Sequence, residues 1–317
     1  MKIVVLDGYT LNPGDLSWQA LEAVGQCDIF DDTTLEQTVN RCQGAQLVLT
    51  NKTELSADTL KQLPDLAYIG ILATGTNVVD IGAATEQGIV VTNVPAYGPD
   101  AVAQMVFAHI LHHHQQVALH DQAVKQGQWA EEGDFCFTLA PLTSLKGLTL
   151  GVVGYGDIGQ QVARLGMAFG MKVLITSAHQ KTDLPDAIQW CELDSLLQQA
   201  DIISLHCPLS AATKDMINSD SLRLLKPGCL LVNTARGGLV NETDLAQWLN
   251  KGNGFAAVDV LSTEPPSRNN PLLSAANITI TPHIAWATLQ ARQNLLNIAL
   301  DNVRQFQQGQ ALNQVNG

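Results

Sequence analysis

The sequence predicts an α/β protein made of two doubly wound parallel sheets. Three observations predict it. Short apolar runs alternate with polar helical stretches along most of the chain, a glycine cluster opens a second such series in mid-chain, and a long amphipathic helix lies beyond the last strand. Alternation of this kind demands a parallel sheet with helices on both faces. At 317 residues the chain is roughly twice a typical domain and can bury two cores.

The first series occupies residues 1–99. Met1-Lys-Ile-Val-Val-Leu-Asp7 is an apolar run cut off by an acid, too short for a signal peptide and read as a first strand, Ile3 to Leu6. Leu47 to Leu49, Tyr68 to Leu72 and Ile89 to Val91 follow as strands. Between them, Ser56 is a fitting N-cap for a helical stretch carrying Leu60 and Leu63 on one side. After Pro99-Asp100 a long helical segment is expected to about Lys125, then a loop near 127–146.

The second series opens with Leu148-Thr-Leu-Gly-Val-Val-Gly154-Tyr-Gly156-Asp-Ile-Gly159, an apolar strand running into Gly-x-Gly-x-x-Gly and then a helix. Gly154 suits the tight turn, Gly156 lets a pyrophosphate reach bare backbone, and Gly159 lets the helix close on the strand. Phosphate then meets unpaired N–H groups at the positive helix end. Ile158, Val162, Leu165 and Phe169 recur at helical spacing before Gly170. Further strands are expected at Val173 to Ile175, Ile202 to Leu205, Leu230 to Val232, Ala256 to Val260 and Ile278 to Ile280. Thr288 to Gln308 reads as a helix with Leu289, Leu296, Ala299, Val303 and Phe306 on one face. Its position past the last strand implies a return to the first domain, giving 1–99 plus 286–317 as one domain and 100–285 as the other.

A net charge of −13 argues against nucleic acid or an anionic membrane as partner, since both require clustered Lys and Arg. No run approaches a membrane span. Six cysteines without a C-x-x-C pair fit reduced thiols in a cytoplasm. His109, His112, His113 and His114 invite a metal reading, but no carboxylate or cysteine completes a set, and a helix face at a subunit contact is the expectation; no metal is expected.

Ligands in open parallel sheets bind at the carboxyl ends of strands, and three reactive side chains stand just past such ends: Arg236, Glu264 and His283. Together they suit hydride transfer to a 2-keto acid. A guanidinium holds the carboxylate and polarises the carbonyl, a histidine supplies the proton for the developing alkoxide, and a carboxylate orients the imidazole.

These residues lie in strings that resemble the D-isomer-specific 2-hydroxyacid dehydrogenases: Gly154-Tyr-Gly-Asp-Ile-Gly159, His206-Cys-Pro-Leu209 with Thr213, Asn233-Thr-Ala-Arg-Gly-Gly-Leu-Val240, Val258-Asp-Val-Leu-Ser-Thr-Glu-Pro-Pro266 and Thr281-Pro-His-Ile-Ala-Trp-Ala287. The His-Ile-Ala-Trp-Ala form and the opening Leu-Asp-Gly-Tyr resemble the glycerate dehydrogenase (hydroxypyruvate reductase) branch. The resemblance implies a flavodoxin-like substrate domain and a Rossmann cofactor domain with a cleft between them. It makes Arg236 the substrate anchor, His283 the general acid or base and Glu264 its support. It places the coenzyme against Gly154, Gly156, Asp157, Ile158, Gly159, Thr176, Ser177, His206, Cys207, Pro208, Thr213, Thr234, Ala235, Arg236, Asp259, His283 and Ala285, with Asp259 on the nicotinamide carboxamide. Backbone groups of Ala73, Thr74 and Gly75 would meet the substrate carboxylate, and Trp286 would wall the cleft beside His283.

One departure matters. The acid expected at the end of the second strand is missing: Val173-Leu-Ile-Thr176 runs into Ser177-Ala-His179-Gln-Lys181, and no acid comes before Asp183. The coenzyme is therefore NAD or NADP with weak selectivity. The substrate expected is a small 2-hydroxy or 2-keto acid, glycerate and hydroxypyruvate first, glyoxylate also. The alternatives are a lactate-type or formate-type dehydrogenase, the latter resembling a glutamine where this chain has Glu264, and a nucleotide-sensing co-repressor-type scaffold, against which the lack of an appended tail argues. The apolar segment Ala101 to Val124, with Phe135, Phe137 and Leu139, predicts a homodimer.

Overall fold

Leucine-, valine- and isoleucine-rich runs of three to five residues form most strands, and those inside the sheets are buried on both faces, as parallel sheets require. The computed structural model describes Met1–Gly317 and divides into two units, Met1–Gly98 with Trp286–Gly317, and Pro99–Ala285.

The first unit holds a five-stranded parallel sheet: β1 (Lys2–Val5), β2 (Gln26–Ile29), β3 (Leu47–Thr50), β4 (Tyr68–Ile71) and β5 (Val90–Thr92), in the order β2-β1-β3-β4-β5. β2 was not expected. It reads Gln-Cys-Asp-Ile, an edge strand with no fully buried residue, so it carries no apolar run to find. Ser56 does cap the short helix Ala57–Leu60, accepting from the Thr59 N–H at 3.3 Å, and Leu60 and Leu63 are buried. One face of the sheet packs Val4, Val48, Ile69 and Val91 with Leu55 and Leu60. The other packs Ile3, Leu47 and Tyr68 against Leu295, Leu296, Ala299 and Val303 of the helix Leu289–Gln307, which starts at the N-cap Thr288. Leu289, expected on the apolar face, is exposed because it sits at the first turn, beyond the sheet; Ala291 and Leu295 fill that face instead.

The second unit holds a seven-stranded parallel sheet: β6 (Thr149–Val153), β7 (Lys172–Thr176), β8 (Ile188–Trp190), β9 (Ile202–Leu205), β10 (Leu230–Asn233), β11 (Phe255–Val258) and β12 (Ile278–Ile280), in the order β12-β11-β10-β9-β6-β7-β8. The three-residue edge strand β8, Ile-Gln-Trp, was also missed: it buries only Ile188 and carries no apolar run. The chain runs outward from β6 through β7 and β8, then crosses to β9 on the other side, which makes the carboxyl end of β6 the topological switch point. Val162, Ala163 and Gly166 of the helix Asp157–Ala168 are buried, whereas Phe169 lies past its end, partly exposed and stacked on Phe107 at 5.3 Å.

The helix expected to run unbroken to Lys125 is two helices, Pro99–Gln115 and Val117–Lys125, because Gln116 takes a left-handed conformation with φ 48°. Its side chain donates to the His113 carbonyl at 2.9 Å, so the break leaves that group satisfied. Within the expected loop 127–146 lies one more short helix, Gln128–Glu132. No helix is long and apolar enough to cross a membrane.

Candidate active site

Strand register alone lines up the candidate residues of the second unit. Val153 of β6 is level with Thr176 of β7 and Leu205 of β9, Leu205 with Asn233 of β10, Asn233 with Val258 of β11, and Val258 with Ile280 of β12. The segments that follow therefore form one edge: Thr176-Ser177, Gly154–Gly159, His206–Pro208, Thr234–Arg236, Asp259 to Glu264, and His283. From β7 to β10 is three strand spacings, about 14 Å. An extended dinucleotide can lie across that edge.

The fingerprint glycines each answer a different constraint. Gly154 has φ 99°, and a Cβ there would sit 2.6 Å from the Cys207 backbone nitrogen. At Gly159 a Cβ would lie 2.1 Å from the Gly154 carbonyl oxygen, so only hydrogen permits the helix to approach the strand so closely. Nothing lies within 4 Å of a Cβ built on Gly156. That exposed opening sits at the N-cap of the helix Asp157–Ala168, where no side chain caps the first N–H groups. Asp157 and Ile158 begin this helix, the former exposed.

Toward β7, Thr176 is buried and the Ser177 hydroxyl donates to the His179 carbonyl at 2.7 Å. Toward β9 and β10 two polar atoms are buried without a partner, Nδ1 of His206 and Oγ1 of Thr234. The other ring nitrogen of His206 meets Ser204 Oγ at 2.8 Å, and burial pushes the imidazole down to about 3. These orphaned atoms are the kind of vacancy a coenzyme's hydroxyl or amide groups fill. Thr213 donates to the Pro208 carbonyl at 2.7 Å and accepts from Ser210 N at 2.8 Å, so its side chain fixes the turn after Cys207-Pro208.

At the far end, Asn233 closes the turn before the arginine: its amide donates to the Arg236 carbonyl at 2.9 Å and its oxygen accepts from Ala235 N at 3.0 Å. Arg236 is exposed, with Nη1 on the Ala235 carbonyl at 2.7 Å. A Cβ on the next residue, Gly237, would lie 2.0 Å from the Leu261 carbonyl carbon, so the arginine turn abuts the segment that carries Glu264. Glu264 accepts from Leu261 N with one oxygen at 3.0 Å and contacts His283 Nδ1 with the other at 2.6 Å. That bond orients the ring and assigns Nδ1–H to the carboxylate, making Nε2 the nitrogen that exchanges a proton.

Asp259 is tied into the turn that carries His283. It is 1 % exposed, and its carboxylate accepts from Thr281 Oγ1 at 2.6 Å, Ile284 N at 2.9 Å and Ala285 N at 2.8 Å. Its carbonyl takes the His283 N–H at 2.8 Å. Thus the acid holds the turn that presents His283, and the Ala285 N–H is spent on it. The backbone of His283 is left-handed, with φ 54°, a conformation an L residue keeps only where its surroundings enforce it.

In the first unit, Ala73, Thr74 and Gly75 follow β4. Carbonyls of Leu72, Ala73 and Thr74 accept from Asn51 Nδ2, Val94 N and Asn93 Nδ2, while no acceptor in the chain takes the N–H groups of residues 73–75. Asp7, buried, fixes the neighbouring loop by accepting from Asn51 N, Lys52 N and Thr53 N at 2.6–2.7 Å. Asp7, Asn51 and Asn93 were missed; an acid closing an apolar first strand was the available signal. Trp286 lies in this unit, half-buried and edge-on to Tyr97 at 6.3 Å.

The histidine cluster is not the subunit face it was expected to be. His109 is 4 % exposed and His113 packs at a tilt on Phe255, 4.3 Å between ring centres, its basicity pushed down to about 4, first by burial. Those positions face the sheet, and only His112 is exposed. No group of three or more His, Cys, Asp or Glu side chains could hold a metal ion.

The sequence profile of the "D-isomer specific 2-hydroxyacid dehydrogenase, NAD binding domain" matches residues 107–285. A hydroxypyruvate reductase of Blautia hydrogenotrophica is 44 % identical over 100 % of both chains, and a glycerate dehydrogenase of Methylorubrum extorquens is 41 % identical over 99 % of this chain and 98 % of its own. Among solved structures, D-lactate dehydrogenase from Aquifex aeolicus complexed with NAD and lactic acid aligns with a TM-score of 0.85 at 28 % identity, covering 100 % of this chain and 99 % of that one. With the profile matched over residues 107–285 and two relatives above 40 % identity aligned along the chain, the protein belongs to the D-isomer-specific 2-hydroxyacid dehydrogenase family.

Proposed function

We propose that this NAD(P)-dependent D-2-hydroxyacid dehydrogenase interconverts hydroxypyruvate and D-glycerate, and reduces glyoxylate as well. The observation that carries the chemistry is the 2.6 Å contact between His283 Nδ1 and Glu264. The substrate choice rests on the two relatives named for hydroxypyruvate and glycerate.

The residues fit a nicotinamide dinucleotide: Gly156 leaves bare backbone open at a helix N-terminus, and Thr234 Oγ1 and His206 Nδ1 are polar atoms in want of partners. Bound there, the coenzyme supplies or accepts the hydride. Gly154 to Gly159 hold its pyrophosphate, Thr176 and Ser177 its adenosine ribose, and His206, Cys207, Pro208, Thr213, Thr234, Ala235 and Ala285 its nicotinamide half. Asp259 holds the His283 turn with three accepted hydrogen bonds and keeps one acceptor site for the nicotinamide carboxamide. Arg236 grips the 2-keto acid through its carboxylate and carbonyl, and the fixed donors stabilise the charge that grows on the oxygen. His283 delivers the proton from Nε2 in reduction and takes it back in oxidation, while Glu264 stabilises the imidazolium. The N–H groups of residues 73–75 bind the substrate carboxylate, and Trp286 belongs to the substrate domain, residues 1–99 with 286–317; residues 100–285 form the coenzyme domain.

With no acid at Ser177, the enzyme discriminates weakly between NADH and NADPH. Its six thiols, all unpaired, suit the cytoplasm. Exposed Val117, Trp129, Phe135 and Leu139 on one stretch of chain suit a homodimer.

A coenzyme-oxidation assay over a panel of 2-keto acids tests the reading. Hydroxypyruvate should give the highest kcat/KM, with glyoxylate next and branched-chain 2-keto acids far behind. His283→Ala should lower turnover by on the order of 10²- to 10⁴-fold with coenzyme binding intact. A preference for branched substrates, or near-normal turnover of that variant, refutes it.

A further inference from the structure

His109 occupies an inward position of the helix Pro99–Gln115, one turn from Val106 and next to Ile110, both fully buried. The stripe is otherwise apolar, and a leucine would meet its packing needs. An imidazole in such a place needs a hydrogen-bond partner. Its partner is Thr281, whose Oγ1 lies 3.3 Å from His109 Nε2 and which is 172 residues away in sequence.

We propose that His109 is a positioning residue: through Thr281 and Asp259 it fixes the left-handed turn that presents His283. The inference rests on the acid–base role of His283 given above. The direction of each bond follows from the chemistry of its atoms. Both oxygens of Asp259 face backbone N–H groups, of Ile284 and Ala285, so the carboxylate accepts. Thr281 Oγ1, at 2.6 Å from Asp259 Oδ1, donates its single hydrogen there. It then has only lone pairs to offer His109, which must present Nε2–H. The result is a polarised chain from imidazole through hydroxyl to carboxylate to the amides of residues 284 and 285. Asp259 makes no ion pair, so these donors are what stabilise it. Burial holds the basicity of His109 below the ordinary value, outweighing the opposite pull of Asp259, so the ring serves as a neutral donor. Asp259 then clamps the turn at three points, its carbonyl on His283 N and its two oxygens on the next two amides, which is the enforcement that φ 54° requires.

His109→Leu, His109→Gln, Thr281→Val and the double variant His109→Leu/Thr281→Val test the chain. Glutamine places an N–H donor near the site of Nε2. His109→Leu should lower kcat by about 10- to 100-fold with the coenzyme KM little changed, since a misplaced acid costs rate and not coenzyme affinity. Amide exchange at Ile284 and Ala285 should quicken by roughly ten-fold or more in His109→Leu and Thr281→Val. His109→Gln should restore both properties, and the double variant should be no worse than its more damaged parent. Equal damage from Leu and Gln would mean packing alone and overturn the proposal, as would multiplicative losses in the double variant. If His109→Leu does not fold, Thr281→Val and His109→Gln still decide through exchange at the two amides. His283→Ala is run beside them. Loss of turnover there, with unchanged exchange and rate in His109→Leu, refutes the positioning role only. Retained turnover there refutes the acid–base role, and the exchange data still judge the chain.

Discussion

Replacing Gly156 and Gly159 by alanine, one at a time, should separate binding from folding within five residues of chain. A Cβ at Gly159 starts 2.1 Å from the Gly154 carbonyl oxygen, against an ordinary contact near 3.4 Å, so the helix Asp157–Ala168 must retreat by about 1 Å. Overpacking of that kind costs about 1–3 kcal/mol. At roughly 2–4 °C per kcal/mol for a domain of this size, Tm should fall by about 2–12 °C. Gly156 is the opposite case. Its backbone is extended at φ −84°, which alanine adopts freely, and nothing lies within 4 Å of the added carbon. Gly156→Ala should hold or raise stability, by up to about 1 kcal/mol through the unfolded chain. Its Cβ instead fills the space in which a pyrophosphate approaches the backbone, so the coenzyme Kd should rise by on the order of ten-fold or more. Calorimetry of the apoprotein and fluorescence titration with NADH measure the two effects. A Gly156→Ala protein that binds NADH like the parent would show that the pyrophosphate lies elsewhere, and an unshifted Tm for Gly159→Ala would show that the helix is free to move.

Ser177→Asp adds a ribose acceptor and a repulsive charge at the end of β7, so the kcat/KM ratio of NADH to NADPH should rise by about ten-fold or more; an unchanged ratio refutes the placement of the ribose. Light scattering at micromolar concentration should report twice the 34.0 kDa of one chain, since Phe135 is 88 % and Val117 69 % exposed; a mass of one chain contradicts the dimer. Asp15 grips Arg292 through both oxygens, at 2.7 and 2.6 Å, and that bond holds its carboxyl below the ordinary value of 3.8. A depressed folded-state value means stabilisation that is complete above 3.8 and lost as pH falls through the lower folded value, so Asp15→Asn should flatten the acid limb of a pH–stability curve; an unaltered limb refutes the coupling.

The amino-acid sequence by itself determined whatever depends on a residue's immediate neighbours along the chain. Strands buried on both faces must be mainly apolar runs, so Ile202–Leu205 was legible to the residue, and the edge strand Ile278–Ile280 was legible because two isoleucines still mark it. The fold class, the glycine turn at β6 and the family motifs followed from the same local rules. Two other edge strands escape those rules because water covers one side: Gln26–Ile29 and Ile188–Trp190 carry no apolar run and were missed. The break at Gln116 was hidden too, since a left-handed glutamine has no composition to betray it. Only the tertiary structure decided who bonds to whom. The motif says nothing of the three groups that Asp259 binds within the chain, Thr281, Ile284 and Ala285. His109 was expected on a helix face at a subunit contact, yet it is buried within its own chain and reaches Thr281 from another element. Periodicity records which side of an element is buried, but a hydrogen bond is set by distance and direction in space, and those exist only once strands and helices have been packed together.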